Sequence, residues 1–96
     1  MSNEHMIAVS EFCTAHQIEI TFVESLAQQG LITIETFNEQ LSIQDTQLPS
    51  LEKMVRLHYD LEINLEGIET IVHLLERVET LQHEMYELKK RMGLYE

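Results

Sequence analysis

Fifty-two residues pass before the first lysine or arginine. Nucleic-acid affinity comes chiefly from basic side chains that release counterions from phosphate. A half-chain with no such side chain is poorly built for that task. Cys13 is the only cysteine, so no intrachain disulfide can form, which fits a reducing compartment. No apolar run approaches the length of a membrane span. The N-terminus has neither the positive region nor the apolar stretch of a secretory signal, so the expected location is cytoplasmic. One proline and three glycines leave little material for long flexible linkers.

What is present is charge of one sign. The net charge is −11. Eight acids lie within residues 1–52: Glu4, Glu11, Glu19, Glu24, Glu35, Glu39, Asp45 and Glu52. All six basic residues follow: Lys53, Arg56, Arg77, Lys89, Lys90 and Arg91. An acidic surface steers towards basic partners. At 96 residues, with 44% hydrophobic and 24% charged residues, the composition is that of one small globular domain.

Along the chain, Met6–Val9 reads as a lead-in strand. Ser10 is placed to cap a helix over 10–16, with Val9, Phe12, Cys13 and His16 at helical spacing. Thr21 and Glu24 form a capping-box pattern at the start of a second helix, which Gly30 ends. Leu31-Ile32-Thr33-Ile34 and Gln40-Leu41-Ser42-Ile43 are expected to be the strands of a short hairpin, separated by the polar stretch 35–39. Pro49 and Ser50 open a third helix whose core face is Leu51, Met54, Val55, Leu57 and Leu61. Asn64 is placed to cap a fourth.

The sharpest pattern is in that last helix, expected from Leu65 towards Met92. Ile71, Leu74, Val78, Leu81, Met85, Leu88, Met92 and Tyr95 alternate steps of three and four. This is an a/d heptad seam, the signature of a helix that meets another helix. Ile68, Val72 and Leu75 widen the stripe at the N-terminal end, where it can cover the body. The expected organisation is a body over 1–70 and a helical extension over 71–96.

No motif supports an enzyme. Phosphate-binding loops and nucleophile elbows are missing. Cys13 and His16 stand at i,i+3, but no orienting third group or oxyanion hole accompanies them. Five histidines, His5, His16, His58, His73 and His83, include no pair at metal-ligand spacing, so neither a metal nor another cofactor is expected.

The order of elements, with Glu11-Phe12-Cys13, Gly30-Leu31-Ile32, the Arg56-Leu57-His58…Leu61 run and Asn64-Leu65-Glu66-Gly67-Ile68, resembles the MerR-type winged helix-turn-helix over roughly residues 6–92. It resembles most closely the CbpM-like branch, the chaperone modulators. The resemblance implies a mainly α fold, with a small β-hairpin and a long C-terminal coiled-coil-type helix. In DNA-binding members the second helix carries an arginine and two aromatic residues before the Gly-Leu. The corresponding positions here are Glu24, Ser25 and Leu26. Nucleic acid is therefore an unexpected partner.

The resemblance implies a partner instead: the J-domain of a DnaJ/CbpA-like co-chaperone, whose activity the module restrains. J-domains present a basic helix, which an acidic surface complements. The candidate contacts are Glu19, Glu24, Gln28, Glu35 and Glu39, on the second helix and the wing. The residues from Ile71 to Met92 form the self-association seam of an expected homodimer. Two alternatives stand beside this reading: a MerR-type DNA-binding regulator and a homo-oligomerisation adaptor.

Overall fold

A computed structural model describes residues 5–94. The elements run β1 (Met6–Ala8), α1 (Val9–His16), α2 (Ile20–Gln28), β2 (Glu35–Phe37), β3 (Gln40–Gln44), a single 3-10 turn (Asp45–Gln47), α3 (Leu48–Tyr59) and α4 (Leu65–Arg91). The three strands form one antiparallel sheet in the order β1-β3-β2. The fold is mainly helical, with the small sheet and the long last helix that the sequence led us to expect.

Several local features differ from expectation. The first wing strand is Glu35–Phe37 rather than residues 31–34, and it pairs Glu35 with Ser42 and Phe37 with Gln40. The turn is therefore Asn38-Glu39, both at positive φ (51° and 62°), as a two-residue type I′ hairpin requires. Leu31 and Ile32 belong to the core, where Ile32 is buried. Burial of these two apolar side chains outweighs their β-propensity.

The helix starts also shift. Helix α1 begins at Val9 with Ala8 at its cap, so Ser10 is the second residue of the helix and does not cap it. Helix α2 begins at Ile20 with Glu19 at its cap, and the Thr21–Glu24 capping box does not form. The Thr21 hydroxyl instead donates to Glu19 Oε1 at 3.4 Å. Helix α3 starts one residue before Pro49, which occupies the first turn where its missing N–H costs nothing. Leu61 lies beyond the end of α3 and is 63% exposed, so it is no core residue.

Two helix ends match expectation closely. Gly30 takes φ 78°, and its N–H donates to Ala27 O while Leu31 N donates to Leu26 O, both at 3.0 Å. This is a Schellman closure, which needs the left-handed residue that glycine supplies. Asn64 Oδ1 accepts from Gly67 N at 2.8 Å and so caps α4.

The core joins Val9, Phe12, Val23, Leu26, Ile43, Leu51 and Ile68, drawn from every helix and the central strand. Full burial of a Leu or Ile side chain contributes about 1.5–3 kcal/mol. Helix α4 reaches this core only through its first turns: Ile68 is fully buried and Val72 half-buried. The described remainder, up to Leu94, leaves the body.

Candidate protein-interaction surfaces

Two surfaces stand out: the face of α2 with the wing, and the seam of α4. On α2, residues four apart lie one above the other, so Glu24 and Gln28 share an exposed face. Glu19, at the N-cap, lies about 140° round the axis from Glu24 by helical arithmetic. The three candidates on this helix therefore do not form one row. Glu19 is held from the other side, because its N–H donates to Tyr59 Oη at 3.2 Å.

Glu24 is close enough to α1 to act on it. Burial first, and then the Glu24 charge, push the Cys13 thiol above its ordinary pKa. A lone buried thiol held protonated is a poor nucleophile. His16 turns away from it: Nδ1 lies 3.1 Å from Phe12 O, the ring stacks on Phe12, and Nε2 lies 3.8 Å from Glu52 Oε2. Among the described residues no group of three or more His, Cys, Asp or Glu could hold a metal ion.

On the wing, Glu35 accepts from Gln44 Nε2 at 3.3 Å, which orients its carboxylate along the sheet. Glu39 stands at the tip of the turn, exposed. Between the two, Phe37 is 44% exposed, and Leu41 on the opposite sheet face is similarly bare. Sequence pattern does not single out Phe37, because it lies within the polar stretch 35–39 between the two expected strands. An aromatic residue between two acids, just before an Asn-Glu pair, was the available signal. Aromatic residues, phenylalanine among them, are enriched at protein–protein interfaces relative to the rest of the surface.

Behind α2, His58 ties the surface to the body. Its ring stacks on Phe22 at 4.5 Å, and Tyr59 meets both rings edge-on. His58 Nδ1 lies 2.9 Å from Ile63 O. A carbonyl only accepts, so Nδ1 carries the proton. The histidine of the Arg56-Leu57-His58 run is thus explained by packing and one hydrogen bond.

The second surface is the seam. Ile71 is half-buried against the body. Leu74, Val78, Leu81, Met85, Leu88 and Met92 are each between 45% and 61% exposed, with nothing of the described chain covering them. Tyr95, the last residue of the expected seam, lies outside the described residues. On the same helix Glu87 Oε2 lies 3.9 Å from His83 Nε2, one turn before it. No helix among the described residues is long and apolar enough to cross a membrane.

A helical pair followed by a two-stranded wing, with an exposed heptad helix beyond, is the layout of a winged helix-turn-helix regulator. Residues 7–90 match the family described as MerR HTH family regulatory protein, and the chain belongs to that family. It is also 27% identical over 84 residues to the chaperone modulatory protein CbpM of Pseudomonas entomophila (strain L48), covering 86% of this chain and 83% of that protein. The same identity and coverage hold for the chaperone modulatory protein CbpM of Pseudomonas putida (strain W619). Both relatives are named as modulators rather than enzymes. No solved structure matches the chain significantly.

Proposed function

We propose that this chain is a chaperone modulator that docks on the J-domain of a DnaJ/CbpA-like co-chaperone and restrains it. The observation that carries the reading is the character of the former DNA face. Glu24, Gln28, Glu35 and Glu39 are exposed on α2 and the wing, Glu19 is exposed apart from them at the α2 N-cap, and neither element holds a Lys or Arg. Carboxylates where a DNA reader carries cations repel phosphate and attract a basic helix. The similarity to proteins named chaperone modulatory protein CbpM supports the same conclusion.

The docked module acts by occlusion. A J-domain uses its basic helix to engage its DnaK-type chaperone, and an acidic cover over that helix competes for it. Phe37 between Glu35 and Glu39 adds an apolar contact that charge alone does not provide. In this reading residues 1–70 form the binding body, and residues 71–96 extend it into a homodimer through the exposed seam. Work in the cytoplasm follows from the partner.

The test is a pull-down from native lysate with the folded chain as bait. Recovery of a J-domain protein is expected, and none recovered would count heavily against the reading. Changing Glu24→Lys together with Glu39→Lys should weaken binding about tenfold or more and flatten its salt dependence. Unchanged affinity would move the contact to another face.

Membership of a DNA-binding family favours a second reading, duplex recognition by a dimer. A mobility-shift assay at low salt separates the two. The carboxylate-lined face should give no shift.

A further inference from the structure

Strand β2 lies at the edge of the sheet, and β3 is the element packed closely against it. The two-residue turn fixes which of its backbone groups face outward. Phe37 and Gln40 close the turn as a hydrogen-bonded pair, and Glu35 and Ser42 form the next such pair. Thr36 and Leu41, between them, are the non-bonded pair. The N–H and C=O of Thr36 therefore point away from β3. Among the described residues no backbone group outside the ladder meets them, and Thr36 is itself exposed.

The side chains beside this open pair have one character. Glu35 and Phe37 stand two apart, so they share a face of the strand. Gln44 Nε2 donates to the Glu35 carboxylate, and the Phe37 ring is 44% exposed. Glu39 follows at the tip of the turn. Acid, aromatic and acid thus recur at every second residue. Edge strands are commonly blunted by lysine, proline or a covering element. This edge has neither lysine nor proline. Its one guard is negative charge, which repels a second copy of the same edge and admits a basic strand.

We propose that the outer edge of β2 is a docking site for an extended basic segment of a protein partner, which joins the three-stranded sheet as a further strand. The segment runs antiparallel, so that one of its residues exchanges both hydrogen bonds with Thr36. It sets an apolar residue against Phe37 and a lysine or arginine against Glu35, with a second cation placed for Glu39. The fitting sequence alternates cation, apolar residue and cation at every second position. Main-chain bonds supply affinity, and the alternate side chains supply selectivity. This goes beyond the J-domain reading, because a helix uses its backbone groups internally and has none to offer an edge.

The probe is a capped pentapeptide, lysine-threonine-valine-threonine-lysine, titrated into the full-length chain and followed by amide NMR. In the antiparallel register its valine meets Phe37 and its fourth residue meets Thr36. A second peptide, N-methylated at that fourth residue, keeps every charge and loses the N–H that faces Thr36 O. The expected result is slower exchange of the Thr36 amide with the first peptide, and about tenfold weaker binding of the second. Equal binding of the two overturns the edge site and leaves charge attraction alone. An unchanged Thr36 amide at millimolar peptide overturns it as well. Thr36→Pro in the full chain removes the outward donor at a position where an edge strand tolerates proline. A folded Thr36→Pro chain, checked by circular dichroism, should lose the first peptide, and retained binding would contradict the proposal. The peptide pair decides the question even where that variant does not fold. Recovery of a J-domain protein does not use the Thr36 bonds, so the two readings fail separately.

Discussion

The side-chain amide of Gln47 pairs with both backbone groups of Thr33: Thr33 N–H donates to Oε1, and Nε2 donates to Thr33 O, each at 2.8 Å. Residues 31–34 run between α2 and the wing without strand partners, and this pair stands in for them. Gln47→Ala should cost about 1 kcal/mol, because the freed groups are exposed and regain water. Amide exchange at Thr33 and along β2 should speed up while exchange in α3 stays unchanged. Equal protection in β2 would show that the pair does not hold the wing.

The Asn38-Glu39 turn holds Glu39 at φ 62°, where a side chain is disfavoured. Glu39→Gly should raise stability by up to about 1 kcal/mol, read as a higher urea midpoint, by relieving that strain. The same change should weaken partner binding, because it removes a carboxylate from the wing tip. A gain in stability with unchanged affinity would take Glu39 out of the contact.

Cys13 gives a pH dependence with a definite sign. Its folded-state pKa is raised, by burial and then by Glu24, so the native chain keeps the proton when the unfolded chain has lost it. Stability is therefore unaffected by this group up to the pH where an exposed thiol ionises, about 8.5. Above that it falls until the folded-state thiol ionises as well. Cys13→Ala should flatten this alkaline decline, measured by urea unfolding from pH 7 to 10. Thiol reagents should label Cys13 slowly, and Glu24→Gln should speed the labelling, since it removes the second cause of the shift.

Asn64→Ala removes the acceptor for Gly67 N–H and should destabilise the chain by about 1 kcal/mol. Gly67→Ala should not recover the helix propensity that alanine usually brings. A Cβ there would stand 2.6 Å from Ile63 Cγ2, a methyl fixed close to the backbone. Thermal melts of the two single variants check both expectations, and a stabilised Gly67→Ala chain would contradict the second.

Glycine and asparagine at helix ends were legible in the sequence because their roles depend on local geometry alone. Gly30 and Asn64 each do what their chemistry suggests, and the 3–4 spacing from Ile71 to Met92 needed no tertiary information. The wing was legible in kind but misplaced by several residues. Leu31 and Ile32 have β-branched or apolar character that fits a strand, yet tertiary burial takes them into the core. Thr21 and Ser10 failed as caps because both helices begin one residue earlier, at Ile20 and at the buried Val9. On the candidate surface, exposure and charge could be read from residue type. The angular separation of Glu19 from Glu24 and the bare ring of Phe37 depend on where elements begin and end, which pattern alone fixes poorly.

His58 packs on Phe22 of α2, stands on α3 and binds the carbonyl just before the α4 cap. Mechanically this makes one imidazole the fulcrum of the molecule. Helix α4 is the lever arm, and any tilt at its base presses on the ring that supports the acidic helix. The base of α4 and the acidic helix α2 therefore share one packing contact, through this ring.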